Sequence, residues 1–424
     1  MMRASAFPSI GRPMTTAMPI EIDAGNGPAP LGMAPEEFLR DYWQKRPLLV
    51  RNAFPGFQSP VSPEDMAGLA CEDGVLARII SHDRASDHYT LRTGPFDEAE
   101  FPGMPHQDWT LLVQDVDKWD TDIRALIDAF DFLPRWRIDD IMVSFAAPGG
   151  SVGAHVDQYD VFLLQAHGHR RWQIDARPHP DLAFRDDADI KLLRRFEPDH
   201  DWVLAPGDML YLPPGVPHHG IAEDACLTFS LGMRAPAAAE LMADFVDSLL
   251  EQSDESERYV DADLRRPADG WEIDQAALQR VATAMRRLRW DDPAALADWF
   301  GRFMTLYRSV TSHHVQPDDR GRPAIEAALD AGQWLARDPW TRVAWSRAGD
   351  GARLFVAGEA WSLPVDDART LAANAHLHAG HYAALAPASR EVVAELFASG
   401  RYRLQTDEGD DDHADAMSGA RHAS

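Results

Sequence analysis

The sequence predicts a mixed α+β chain of several domains: a double-sheet barrel or jelly roll, then a helical region, then a small α+β unit. The first half carries short strands separated by Pro/Gly corners, which is the pattern of a jelly roll. From Pro236 onward, apolar residues recur at helical spacing. Near the C-terminus, a predicted hairpin at Leu354–Trp361 precedes a predicted helix at Ser389–Ala398, which indicates a separate α+β unit.

The predicted barrel spans residues 28–235 and follows a tail, residues 1–27, that we expect to be flexible because it mixes Met, Ser, Thr, Pro and Gly. Ligands from separate strands of such a barrel can converge at its mouth. The elements predicted before its centre are a helix from Ala34 to Gln44, a strand from Pro47 to Arg51, a helix from Asp122 to Phe130 and a strand from Arg137 to Phe145.

The centre of the barrel is predicted to consist of two strands, within Gly153–Gln165 and Gly168–Asp175, joined by a short polar turn. In the second strand, Arg170, Trp172 and Ile174 alternate with polar neighbours and therefore share one face. We expect that face to be the inner one, because it carries the apolar side chains. An inward guanidinium requires an anion, since an unpaired buried charge is very costly. The alternation thus predicts a pocket for a carboxylate ligand.

A His-x-Asp pair, His155 and Asp157, lies at the start of this stretch. The chain contains three more such pairs, beginning at His106, His179 and His413, but they lie in loops or in the acidic tail. Only the pair at His155 is bracketed by a Gly-rich turn and an apolar run. It is a candidate metal site, and a hydrogen-bonded histidine at a strand end is the alternative.

A third candidate ligand lies downstream, where a Pro/Gly corner precedes His218 and His219. Two histidines and one carboxylate, with other positions left open, form the facial triad suited to non-haem Fe(II) and oxygen chemistry. A zinc hydrolase could use the same ligands but would not need the inward Arg170. In the next predicted strand, Cys226–Met233, small and polar residues alternate with apolar ones. Ser230 could therefore donate a hydrogen bond to a bound carboxylate.

These residues resemble one family. Four features carry the resemblance: the His155-Val156-Asp157 motif, Arg170, the Pro213-Pro214-Gly215-Val216-Pro217-His218 corner and the opening run Phe38–Leu49. Together they are similar to the JmjC-type 2-oxoglutarate-dependent ribosomal oxygenases, in particular the bacterial branch that hydroxylates an arginine of a large-subunit ribosomal protein. The resemblance covers about residues 28–405. It implies a JmjC/cupin double-stranded β-helix, Fe(II) held by His155, Asp157 and His218, and 2-oxoglutarate as cosubstrate with its distal carboxylate on Arg170. The family corner carries one histidine, so His219 is a departure, interpreted as a residue outside the ligand set.

Helices are predicted in residues 236–308, from Ala237 to Gln252, Asp274 to Arg289 and Pro293 to Tyr307. The family resemblance implies a dimerisation domain here and hence a homodimer, whereas packing of these helices on the barrel is the alternative. It also implies a winged-helix fold for residues 309–405. His376, His378 and His381 in that unit suggest a zinc site or, more simply, a surface cluster. The tail, residues 406–424, is acidic and is expected to be disordered.

Composition narrows the function further. The chain has 424 residues with 45% hydrophobic content, and a net charge of 41 − 68 = −27. Such a charge argues against nucleic-acid binding and agrees with attraction of a basic partner, such as a ribosomal protein, although it serves solubility equally well. Two cysteines, Cys71 and Cys226, and the lack of a long apolar run predict a cytoplasmic protein without a membrane span.

Three functions remain open from the sequence. The first is hydroxylation of an arginine in a ribosomal protein, where the resemblance supplies the substrate. The second is the same chemistry on another residue, either a ribosomal-protein histidine or a methylated lysine that would be demethylated. The third is a non-catalytic, cupin-like binding module. Such a module would not need the triad and Arg170 together, which argues against it.

Overall fold

A computed structural model describes residues 19–25, 27–253, 258–266, 271–288, 290–306 and 317–406. Its first part contains a nine-stranded sheet with the strand order β1-β2-β10-β7-β12-β6-β5-β3-β4. The strands of this sheet are β1 (Glu21–Asp23), β2 (Leu48–Arg51), β3 (Ala77–Asp83), β4 (His88–Thr93), β5 (Trp109–Val113), β6 (Ile138–Ala146), β7 (Val161–His167), β10 (Met209–Leu212) and β12 (Cys226–Met233).

A second sheet of three strands, in the order β11-β8-β9, faces the first. Its strands are β8 (Arg170–Ile174), β9 (His200–Leu204) and β11 (His218–Ala222). Apolar side chains of both sheets form one core between them, among them Val161 and Leu163 from β7 with Trp172 and Ile174 from β8. Strand β7 is buried along Val161–Ala166, which explains its continuous apolar run.

The other face of the large sheet is covered by short helices. These are α1 (Pro35–Asp41), α2 (Pro63–Leu69), α3 (Val116–Trp119) and α4 (Thr121–Ala125). Helix α2 begins with a capping box, in which Ser62 and Asp65 satisfy each other's backbone N–H groups. The predicted helix from Asp122 begins at Thr121, and after Ala125 it continues as a 3₁₀ helix to Phe130. Phe38 of α1 is fully buried in the core against this face.

Three helices follow the barrel: α5 (Ala238–Glu251), α6 (Gln275–Arg286) and α7 (Pro293–Thr305). Trp299 of α7 packs on Phe245 of α5 and donates a hydrogen bond from Nε1 to Asp244, 2.7 Å away. Helix α6 buries no residue. Its apolar face, with Leu278, Val281 and Met285 each more than 40% exposed, is therefore not covered by any residue that the structure describes.

Residues 317–406 form two three-stranded sheets and four helices. The junction of this unit with α7 requires a glycine, because a Cβ on Gly301 would lie 2.3 Å from the Phe355 ring. The elements are α8 (Gly321–Asp330), β13 (Trp334–Arg337), β14 (Val343–Ala348), β15 (Gly351–Val356), β16 (Glu359–Leu363), α9 (Val365–Ala373), β17 (His376–Leu377), α10 (Ala379–Ala384), α11 (Pro387–Ala398) and β18 (Tyr402–Gln405).

The predicted fold class is confirmed, and two local expectations need correction. Residues 21–23, assigned to a flexible tail, form β1, which pairs in parallel with β2. His155 and Asp157 do not lie on a strand, because β7 begins only at Val161. Strands β7 and β8 do not pair with each other, because β7 belongs to the large sheet and β8 to the second sheet. The tail 1–18 and the acidic stretch 407–424 lie outside the described residues. No helix among the residues described could span a membrane.

Candidate metal and cosubstrate site

Side chains from two distant parts of the chain meet at the mouth of the barrel. One ligand atom from each of His155, Asp157 and His218 lies within 4.8 Å of the other two. The two imidazole rings have centroids 4.2 Å apart, and Nε2 of His218 lies 3.6 Å from Oδ2 of Asp157. In the part of the chain that the structure describes, no other group of three histidine, cysteine or carboxylate side chains converges in this way.

Backbone contacts fix which nitrogen each histidine presents. Nδ1 of His155 lies 3.0 Å from the Gly153 carbonyl, and Nδ1 of His218 lies 3.0 Å from the Val216 carbonyl. A carbonyl only accepts hydrogen bonds, so Nδ1 carries the proton in both rings and the lone pair is on Nε2. Burial lowers the pKa of His218 well below its ordinary value, which keeps this imidazole neutral. Two imidazoles that present Nε2, beside a carboxylate, form a donor set that fits Fe(II).

Arg170 lies on the inner face of β8 and is only 3% exposed. Its closest polar contacts are long, 3.3 Å from Nη1 to Ser144 Oγ and 3.4 Å from Nη2 to the Gly220 carbonyl. Nε has no hydrogen-bond partner, and no carboxylate of the described residues pairs with the guanidinium. Burial lowers its pKa. A buried guanidinium without an anionic partner in the protein is suited to bind a ligand that carries a carboxylate.

The strand register places Arg170 deeper in the barrel than the triad. His218 pairs with Ile174, whereas Arg170 pairs with Ala222, four residues further along each strand. This offset corresponds to about 13 Å of strand. Trp172 lies between the two, with its ring 5.8 Å from that of His218 and 5.1 Å from the Arg170 guanidinium. The space between the triad and Arg170 is therefore elongated, as an extended dicarboxylate requires.

Comparison with known proteins agrees with this geometry. Residues 125–241 match the JmjC domain family, and residues 287–403 match the ROXA-like winged helix. The chain is 36% identical to the ribosomal protein uL16 3-hydroxylase of Escherichia coli, over 86% of this chain and 96% of that protein.

The chain belongs to the JmjC ribosomal oxygenases.

Solved structures of the ribosomal oxygenase YcfD from E. coli share its architecture. One has a TM-score of 0.79 at 34% identity, covering 88% of this chain and 99% of that one. Another holds cobalt and 2-oxoglutarate, with a TM-score of 0.77 at 32% identity over 89% of this chain and 99% of that one. The winged-helix fold of the C-terminal unit is confirmed by these matches.

Ser230 of this ribosomal oxygenase lies on the inner face of β12, buried and paired with Met142 of β6. A second hydroxyl, that of Ser144, contacts Arg170, and the sequence analysis did not predict it. Alternation along Ile138–Ala146 was the signal that could have found it, since Ser144 and Met142 share one face of that strand. Ser144 pairs with Thr228 of β12, and Ser230 lies two residues further along that strand. Donation of a hydrogen bond from Ser230 to a bound carboxylate stays a prediction.

His219 lies on the opposite face of β11 from His218. Its ring packs edge-on against Phe196 at 6.0 Å, and burial lowers its pKa to about 4. Its ring therefore points away from the triad. Among the other candidates, Asp108 pairs with Arg84, and the ligand atoms of His376, His378 and His381 do not converge. The pair at His413 lies outside the described residues.

Tyr159, next to the triad, and Asp140 were not predicted as site residues. Tyr159 faces Asp157, and its hydroxyl opposes the rise in the pKa of Asp157 that burial causes. Tyr159 also interacts electrostatically with Asp140 of β6. Burial and the neighbouring carboxylates of Asp115 and Asp139 raise the pKa of Asp140 to about 7. No cationic side chain of the described residues forms an ion pair with Asp140, whereas Asp139 pairs with Arg342.

Proposed function

We propose that this ribosomal oxygenase is an Fe(II)- and 2-oxoglutarate-dependent hydroxylase of an arginine side chain in a large-subunit ribosomal protein. The observation that carries the cosubstrate assignment is Arg170, buried without an anion on the same inner wall as the triad. A metal hydrolase or an inactive binding module has no use for this guanidinium. The family membership supports the oxygenase chemistry.

In this proposal, His155, Asp157 and His218 bind iron, and Arg170 binds the distal carboxylate of 2-oxoglutarate. Iron and 2-oxoglutarate, when bound, supply the activation of dioxygen and the transfer of one oxygen atom to a C–H bond, with release of succinate and carbon dioxide. The carbonyls of Gly153 and Val216 hold the imidazoles in the binding tautomer. The apolar core around Trp172 excludes bulk water from the pocket, and the backbone bridge at His155 keeps the ligands in register.

The substrate assignment is supported by charge. The E. coli relative is named for ribosomal protein uL16, a ribosomal target that agrees with a net charge of −27 on this chain. Asp140 supplies a carboxylate without an ion-pair partner near Tyr159, where a substrate guanidinium would be held beside the triad. A buried carboxylate forms a strong charge-assisted contact with such a group. These observations support arginine as the residue that is modified. Ribosome assembly would then place the enzyme in the cytoplasm.

We also propose a homodimer formed through the helical region. Helix α6 exposes Leu278, Val281 and Met285, and α5 exposes Met242 and Leu250 by more than half. Exposed apolar side chains on both helices are typical of an interaction surface. A second copy of the chain offers a matching surface by symmetry. The same region carries an apolar cavity of about 510 Å³ lined by Phe245, Leu296 and Trp299.

The deciding experiment combines a turnover assay with mass spectrometry of the product. The pure protein is incubated with Fe(II), 2-oxoglutarate and the ribosomal proteins of its own organism, and succinate release is measured. Tandem mass spectrometry then locates the added oxygen atom. Hydroxylation at one arginine of a large-subunit protein supports the proposal. Oxygen on a histidine, or loss of a lysine methyl group, would replace the arginine assignment, and no succinate would contradict the oxygenase chemistry.

A further inference from the structure

A second arginine, Arg78, lies on the inner face of the large sheet. In β3, Ile79 packs into the core beneath the N-terminal helices, whereas Ile80 packs with Leu112 on the opposite face. Because side chains alternate along a strand, Arg78 shares the face of Ile80. Its cross-strand neighbours are Leu112 on β5 and Thr93 on β4. The guanidinium is therefore carried into the barrel on a largely apolar wall.

Strand pairing places Arg78 in the same row as the cosubstrate pocket. Arg78 pairs with Leu112, Leu112 pairs with Ser144, and Ser144 Oγ is the contact of Arg170. Two strand spacings, about 10 Å, separate Arg78 from Ser144. An extended arginine side chain spans much of that distance. Arg78 thus lies on the inner wall of the barrel in the row of Ser144, two strands away from the contact of Arg170, and does not belong to the triad.

The guanidinium of Arg78 has no anion. Nε is buried without a hydrogen-bond partner, and within the described residues no carboxylate forms an ion pair with this side chain. Other arginines of the same hairpin are paired, Arg84 with Asp108 and Arg92 with Glu100. Keeping a half-buried guanidinium unpaired destabilises the fold, so its presence is explained best by an acceptor that arrives from outside. In the proposed function, Arg170 binds the cosubstrate, so the substrate peptide is the remaining source of an acceptor for Arg78.

We propose that Arg78 binds the substrate by donating hydrogen bonds to a main-chain carbonyl of the peptide, next to the residue that is hydroxylated. This inference rests on the proposed function. A carbonyl is the favoured acceptor, because the acidic enzyme attracts basic segments that carry few carboxylates, whereas each residue of a peptide offers a carbonyl. Asp140 of β6 would then hold the substrate side chain, and Arg78 of β3 would hold its backbone.

The test uses Arg78→Met in the full-length protein, with a substrate peptide that contains the hydroxylated residue. We expect the KM for the peptide to rise about tenfold, as the loss of a hydrogen bond to a charged group implies. The Kd for 2-oxoglutarate, measured with Co(II) in place of iron, should stay unchanged, and the Tm should be equal or higher because an unpaired charge is removed. Arg92→Met, on the neighbouring strand and exposed, is the matched control.

Thioamide analogues of the peptide identify the acceptor. Replacing the correct carbonyl oxygen by sulfur should weaken binding to the wild type but not to Arg78→Met, a coupling that a purely structural arginine would not produce. An unchanged KM in Arg78→Met, a weaker Kd for 2-oxoglutarate, or equal thioamide effects in both proteins would each overturn the assignment. Absence of peptide-stimulated succinate release in the wild type would instead overturn the proposed function itself, and the inference with it.

Discussion

His155 and His218 exchange a pair of backbone hydrogen bonds, 3.0 Å from the His155 N–H to the His218 carbonyl and 2.9 Å in return. This bridge joins the loop before β7 to the first residue of β11. It therefore fixes the distance between two imidazoles that are far apart in the sequence. Because backbone groups make the bridge, replacement of either side chain leaves it possible, and the metal site can be altered without loss of the fold.

Replacement of His155 or Asp157 by Ala should abolish iron binding and turnover while the protein stays folded. Each change removes one of three ligand atoms that lie within 4.8 Å of one another. Metal content after reconstitution, succinate release and the Tm are the measurements. His169→Ala is the control, since that imidazole is half-exposed and pairs with Asp224. Full metal content in Asp157→Ala would contradict the ligand assignment.

Arg170→Met should weaken 2-oxoglutarate binding and leave metal binding intact. The loss of a buried, charge-assisted contact costs about 2–5 kcal/mol, so the Kd should rise by a factor of roughly 30 or more. The neighbouring Arg171→Met is a close control, because that side chain points outward to Asp201 and Glu223. Titration of each Co(II)-loaded protein with 2-oxoglutarate measures the effect. Equal Kd values in the two variants would rule out Arg170 as the carboxylate partner.

Asp140→Asn should raise the KM for the substrate and remove the pH dependence of that KM. The folded protein holds the pKa of Asp140 at about 7, above the value in the unfolded chain. The contribution of Asp140 to stability is therefore greatest at low pH and is lost as the pH rises to about 7, because the unfolded chain ionises this carboxyl at a lower pH than the folded protein does. A substrate guanidinium requires the charged form, so substrate affinity should increase over the same range.

The pH dependence is measured as the free energy of unfolding and as the KM between pH 5 and pH 8. Asp139→Asn serves as the control, since Asp139 lies on the other face of β6 and pairs with Arg342 of the C-terminal unit. That variant should keep a pH-dependent KM, with the transition moved to a lower pH, because loss of the Asp139 carboxylate lowers the pKa of Asp140. A profile that survives in Asp140→Asn would show that another group controls substrate binding.

Leu278→Glu combined with Met285→Glu should convert the proposed dimer into a monomer. Both side chains belong to the exposed apolar face of α6, and a buried, unpaired carboxylate in an interface is strongly unfavourable. Light scattering after gel filtration gives the mass. Thr283→Glu, on the opposite face of the same helix, should leave the mass of the dimer unchanged. A monomeric wild type would contradict the proposed homodimer.

Local patterns in the sequence were sufficient for the elements and for several site residues. Alternation along Arg170–Ile174 predicted which side chains point inward, and their burial agrees with it. Apolar spacing predicted α5, α6 and α7 to within a few residues at the ends that the structure describes. These signals repeat every two or every 3.6 residues, so a short window of sequence contains all the information needed.

The tertiary structure decided which distant residues meet. It brought Ser144 to Arg170, joined His155 to His218, and turned Glu21–Asp23 into a strand. Each of these outcomes depends on the pairing register of strands from different parts of the chain, and a shift of one residue would send each side chain to the other face. Periodicity determines the face on which a residue lies, but only the completed sheets determine its neighbour across the barrel.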